Sequence, residues 1–131
     1  MNAPRVIPPE LLPLFGNAVD AMETAKAIVG NRIRVDPAIL ADIGADKSLE
    51  RWSRIAAIYV LGLLGKVRYS PMLRGILGDE AEDATIRGHA AEALGNLRDK
   101  RSAVVLQRML SVEAAPELRE SLSYALQELG R

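Results

Sequence analysis

Residues 54–77 and 87–110 carry one pattern written twice. Setting Arg54 over Arg87 aligns RIAAIYVLGLLGKVRYSPMLRGIL with RGHAAEALGNLRDKRSAVVLQRML without a gap. Ala57 then falls on Ala90, Leu61 on Leu94, Gly62 on Gly95, Leu64 on Leu97, Leu73 on Leu106 and Leu77 on Leu110. A sustained period of 33 residues constrains the fold more than any other feature. Each copy is too small to bury its own apolar face and must stack on the next. A third copy opens at Arg119, with Leu122, Leu126 and Leu129 in register and Gln127 where the others have glycine. A degenerate first copy runs back to Ala21 through Thr24, Ala25, Ile28, Ile39, Leu40 and Ile43.

Within a copy the apolar residues recur at steps of three and four, twice over: Ile86, Ala90, Ala93, Leu94 and Leu97, then Val105, Leu106, Met109 and Leu110. That spacing predicts two amphipathic helices per unit. Pro37, Pro71 and Pro116 stand at first helical positions, and Gly30, Gly44, Gly65, Gly78 and Gly130 stand where helices stop. Helices are expected near 8–15, 18–30, 37–44, 48–64, 71–77, 84–97, 101–111 and 116–129. The chain reads as one domain over 1–131: an N-terminal cap at 1–17, repeats near 18–47, 48–80 and 81–113, and a half repeat at 114–131. Gly62 and Gly95, inside helices, each cost about 1 kcal/mol relative to alanine. Their recurrence points to a close approach by a neighbouring helix.

The run LGNLRDKRSAVVLQRML, preceded by IRGHAAEA, resembles the HEAT-like repeat of the phycobilisome-lyase type over about residues 50–130. Arg98 and Lys66 stand where that pattern has Gly and Asp. The resemblance implies an all-α, right-handed α-solenoid of about four HEAT-like helix pairs. It also implies a surface that binds another macromolecule, in roles ranging from chromophore-lyase subunits to assembly factors, adaptors and immunity proteins.

Composition narrows the chemistry. The chain is 49% apolar, with no Cys and a single His, so thiolate sites, disulfides and histidine-rich metal centres are excluded, and no metal or cofactor is expected. No catalytic residue is assigned: GxSxG, phosphate-loop and paired-acid motifs are missing, and His89 has only Glu92 beside it. The acidic run DEAED at 79–83 lacks the spacing of a calcium loop. No apolar stretch is long enough to span a bilayer, and MNAPRVIPPELLPLF is broken by four prolines, so no membrane association and a cytoplasmic location are expected.

Seventeen basic and 17 acidic residues cancel, and their placement carries the information. Turns within repeats hold Arg32 and Arg34, then Lys66 and Arg68, then Arg98, Lys100 and Arg101. Turns between repeats hold Asp42 and Asp46, then Asp79, Glu80, Glu82 and Asp83, then Glu113, Glu117 and Glu120. Stacking should make one edge basic and the other acidic. Helix dipoles, at roughly 0.3–1 kcal/mol per charge, account for the acidic edge but not for Lys100 and Arg101, unless Asp99 offsets them. The arginines that open each copy, Arg54, Arg87 and Arg119, are expected to pair with Glu50, Asp83 or Glu120. Trp52, Tyr59, Tyr69 and Tyr124 are candidate hot spots whose core or semi-core placement is the simpler expectation.

From the residues alone, the expectation is a non-enzymatic protein-binding module. Second-helix residues Arg74, Gln107 and Arg108, together with turn residues Arg68, Lys100 and Arg101, would hold an acidic protein partner. A subunit of a bilin-lyase complex is the alternative. Net neutrality argues against nucleic acid. A monomer is expected, with a homodimer through the C-terminal helix as the competing state.

Overall fold

The structure, a computed structural model, describes residues 7–113 and 115–131. Residues 1–6 of the expected cap and Ala114, the first residue of the expected half repeat, lie outside the described residues. Seven α-helices follow a 3-10 segment, Pro9–Phe15. They are α1 (Ala18–Val29), α2 (Pro37–Ala45), α3 (Arg51–Leu64), α4 (Ser70–Gly78), α5 (Ala84–Leu97), α6 (Ala103–Val112) and α7 (Pro116–Leu129). No strand occurs among the described residues. This is an all-α solenoid.

Local chemistry sets the helix starts. Asn17, Asp36 and Asp83 cap α1, α2 and α5, each side chain accepting from a backbone N–H in the first turn. The expected helix at 8–15 is a 3-10 segment instead, because Pro13 inside it removes a donor. The helix expected from residue 48 starts at Arg51. The Asp46 carboxylate accepts from the Ser48 N–H (3.0 Å) and hydroxyl (2.6 Å), and its carbonyl from the Leu49 N–H (3.1 Å), which closes 46–49 into a turn. Short 3-10 turns, Val67–Tyr69 and Lys100–Ser102, lead into α4 and α6.

The long helices α1, α3, α5 and α7 stack into one layer, and α2, α4 and α6 form a second. Each short helix packs chiefly on the long helix that follows it: α2 on α3, α4 on α5 and α6 on α7. Two apolar clusters fill the space between layers. One is centred on Leu40, Ala57 and Leu61 and the other on Leu73, Leu94 and Leu106, and both touch Met72.

The two recurring glycines have the expected role. A Cβ on Gly62 would sit 2.8 Å from the Ala93 Cα, and one on Gly95 would sit 2.7 Å from the Ala125 Cα. Backbone meets backbone there, so α3, α5 and α7 approach at the short end of helix packing distances.

The opening arginines close a second seam. Arg54 Nε donates to the Gly44 carbonyl (3.0 Å), Arg87 Nε to that of Leu77 (2.9 Å), and Arg119 Nη1 to those of Leu110 (2.8 Å) and Glu113 (2.7 Å). Residues 44, 77 and 110 are 33 apart, near the ends of α2, α4 and α6, where helix carbonyls lack internal partners. The acids expected for these arginines are not the ones used. Arg54 closes on Glu82, while Asp83 takes Arg51 and the cap of α5. With Lys47 on Asp79 at 2.5 Å, consecutive inter-repeat turns are zipped together by ion pairs. Three acids of this edge, Asp79, Glu82 and Asp83, are thereby neutralised.

Candidate functional site

On the face of the long-helix layer turned away from the short helices, α5 presents His89, Glu92 and Asn96 on successive turns. Tyr59 of α3 stands on one side of them and Tyr124 of α7 on the other. Together with Ala93 these residues line a groove of about 280 Å³. Positions 59, 92 and 124 are the same register position in three successive copies. The glycine contacts between their helices bring them within reach of one another.

The polar groups are ordered. Tyr124 donates its hydroxyl to Asn96 Oδ1 at 2.6 Å, and Ser121 donates to Glu92 Oε1 at 3.3 Å. His89 Nδ1 lies 3.4 Å from Glu92 Oε2. Burial, reinforced by the carboxylates of Glu128 and Glu92, raises the Tyr124 hydroxyl above its ordinary value, so it remains a hydrogen-bond donor through the neutral range. Two aromatic walls, one carboxylate and one imidazole suit a ligand that is part apolar and part hydrogen-bonding or cationic. Among the described residues no three His, Cys, Asp or Glu side chains converge to hold a metal ion.

None of the six residues selected from the sequence lies in this groove. Arg74 is engaged internally: its Nη1 donates to Asp99 at 2.7 Å and to Ser102 Oγ at 3.3 Å, which corrects its reading as a free contact residue. Burial alone would raise the Asp99 carboxyl, but hydrogen bonds from Ser102 and Arg101 outweigh it and hold the group below its ordinary value. Arg68 lies over the Tyr69 ring, 5.1 Å from its centroid. Lys100 and Arg101 are exposed at the edge, and Gln107 and Arg108 on α6. Asp99 does meet Arg101, accepting from its backbone N–H at 3.3 Å, and so offsets part of the positive charge ahead of α6. Trp52 is about half exposed.

The sequence reading treated Tyr59 and Tyr124 as core edge and His89 as isolated. It missed that one register position, repeated at 59, 92 and 124, places them in a single groove.

Stacked helix pairs in two layers, sealed by a repeating arginine and a repeating glycine, define the class of α-solenoid repeat proteins. Residues 43–127 match the family model of HEAT repeats. The chain belongs to the HEAT-repeat family, and all the groove residues fall inside the matched stretch.

Curated relatives narrow this further. The chain is 32% identical over 71 residues to the deoxyhypusine hydroxylases of Kluyveromyces lactis and Candida albicans, and 41% identical over 73 residues to that of Phaeosphaeria nodorum. These alignments cover 54%, 54% and 56% of this chain and 22% of each relative. The chain thus aligns with about a fifth of the length of the curated relatives it matches. They are enzymes by name, which overturns the expectation of a non-enzymatic binding module. The HEAT-like part of the sequence resemblance stands; the phycobilisome-lyase type is carried neither by the family match nor by the names of these relatives.

Proposed function

We propose that this chain is a repeat block of a hydroxylase of the deoxyhypusine hydroxylase kind, with the groove between Tyr59 and Tyr124 as its substrate-binding site. One observation carries the assignment. The groove brings aromatic, imidazole and carboxylate groups from three successive repeats together, inside the stretch that matches the HEAT family. The similarity to the named relatives supplies the reaction class.

In this reading Tyr59 and Tyr124 sandwich the substrate chain, Glu92 accepts from its polar end, and the His89 imidazole lies beside it. Hydroxylation places an oxygen atom in a C–H bond; with dioxygen as the oxidant, the second oxygen atom leaves as water on taking up two electrons and two protons from an added reductant, and both co-reactants are supplied with the substrate in the test. The groove residues are assigned the binding and orientation of the group to be oxidised.

The test is to incubate the protein with a deoxyhypusine-bearing substrate. Hydroxylation is read by mass spectrometry as the gain of one oxygen, and binding is read separately by calorimetry. Saturable binding that Tyr59→Ala and Tyr124→Ala each weaken supports the proposal. Neither binding nor turnover would remove it.

A further inference from the structure

The opposite edge of the molecule offers a second surface, independent of the groove. The turns within repeats bring Arg32 and Arg34, Lys66 and Arg68, and Arg98, Lys100 and Arg101 to one edge, all of them exposed. The stacking that puts Gly62 against Ala93 places the turns following α3 and α5 side by side, and the Arg74–Asp99 pair ties α4 to the second of them. Among the described residues, the side chains of Arg32, Arg34, Lys66, Arg98 and Lys100 have no hydrogen bond or ion pair. On the other edge Lys47, Arg51 and Arg54 are each closed on an acid, and Arg87 and Arg119 donate to helix-end carbonyls. The acids of the basic edge do not neutralise it either. Asp36 caps α2, and Asp99 is buried, shared by Arg74, Ser102 and Arg101.

A formally neutral chain therefore has, among its described residues, five basic side chains without a hydrogen bond or ion pair along one side. We infer that this edge docks an acidic polypeptide segment. Three consecutive turns at helix spacing span roughly 20 Å, the reach of about six extended residues. The edge thus fits a short run of Asp and Glu rather than a long polyanion. Single-stranded nucleic acid is less well served, because base stacking needs free aromatic faces. Tyr69, the aromatic residue of these turns, is covered by Arg68, which also donates to its hydroxyl at 3.0 Å.

The probe is a fluorescein-labelled decaglutamate peptide, titrated by anisotropy at low and moderate salt. An oligodeoxythymidylate of equal length runs in parallel. Binding of the peptide that weakens with salt is expected. Lys100→Glu/Arg101→Glu should weaken it roughly tenfold or more. Lys47→Glu/Arg51→Glu, which changes net charge equally but at the turns between repeats on the other edge, should leave it unchanged. Lys66→Gln/Arg98→Gln, which only removes charge, should weaken it less, and circular dichroism checks that every variant is folded.

Equal losses in the edge and control variants would show a net-charge effect and overturn the inference. So would tighter binding of the oligonucleotide than of the peptide, or no binding of the peptide by the unaltered protein at low salt. Groove variants such as Tyr124→Ala should not affect this readout, which separates its failure from failure of the hydroxylase reading.

Discussion

Arg54 and Glu82, 28 residues apart, meet in a two-pronged ion pair: Nη1 to Oε1 at 3.1 Å and Nη2 to Oε2 at 2.6 Å. Their side chains are only 5% and 6% exposed. The same guanidinium uses Nε to close the end of α2 through the Gly44 carbonyl. One side chain thus joins the end of one short helix, the start of the long helix after it and the turn beyond α4.

Removing the acid should be costly. Glu82→Ala leaves a buried guanidinium without its counter-charge, and a loss of about 3 kcal/mol is expected in urea unfolding. Lys47→Ala, at the exposed neighbouring pair, should change stability far less.

Acid should act through the same pair. The hydrogen bonds from Arg54 hold the Glu82 carboxyl below its ordinary value of 4.5. A depressed folded value means the folded state binds fewer protons than the unfolded chain. Its stabilisation is therefore complete above about pH 4.5 and lost as pH falls through the folded value. Asp79, Asp83 and Asp99 shift in the same direction. Thermal unfolding between pH 7 and pH 3 should show the unaltered protein falling more steeply than Glu82→Gln. Parallel curves would show that the pair does not govern acid stability.

Two glycine substitutions should have opposite signs. Gly95→Ala drives a methyl into the Ala125 backbone and should destabilise by about 2 kcal/mol or more. Gly75→Ala lies on the exposed side of α4 with nothing within 4 Å, and should stabilise by about 1 kcal/mol through helix propensity alone. Denaturant midpoints of the two variants, compared with the parent, check both signs.

These glycines also show what can be read from sequence. The 33-residue register made Gly62 and Gly95 equivalent, and a repeated mid-helix glycine has few explanations other than close packing. Helix ends marked by Asp36, Pro37, Asp83 and Pro116 were legible for the same reason, since capping is local. The partner of Arg54 was not, because Glu82 arrives from the turn beyond α4 and its approach depends on how two repeats stack. Arg74 looked free because its acid, Asp99, is a cap of the following unit turned inward. The groove was legible only in part. Glu92 occupies the register position of Tyr59 and Tyr124, but a repeat pattern identifies the residues that are alike, and a site is made where they differ.

Arg98 holds a left-handed conformation, φ 57°, at the end of α5, where the preceding copy has Gly65 at φ 72°. A side chain costs about 1–2 kcal/mol there, part of which is returned on replacement because glycine is freer when unfolded. Arg98→Gly should be net stabilising by about 1 kcal/mol and raise the melting temperature by roughly 4 °C. Calorimetry decides it, and a lower melting temperature would mean that the arginine makes a stabilising contribution larger than its strain.

The groove separates two roles of one tyrosine. Tyr124→Phe keeps the aromatic wall and removes the 2.6 Å bond to Asn96, whereas Tyr124→Ala removes both. If the ring is the binding element, Tyr124→Phe should leave binding of a deoxyhypusine-bearing peptide nearly unchanged, because the bond it removes is internal to the protein. Tyr124→Ala and Tyr59→Ala should each weaken it several-fold, through the lost aromatic contact. Glu92→Gln keeps the shape and removes the charge, so its effect should be large only if the bound group is cationic. Calorimetric titration of the four variants distinguishes these cases. Equal affinity in all four would place the substrate elsewhere on the molecule, because no ligand held between the two rings could be indifferent to losing either of them.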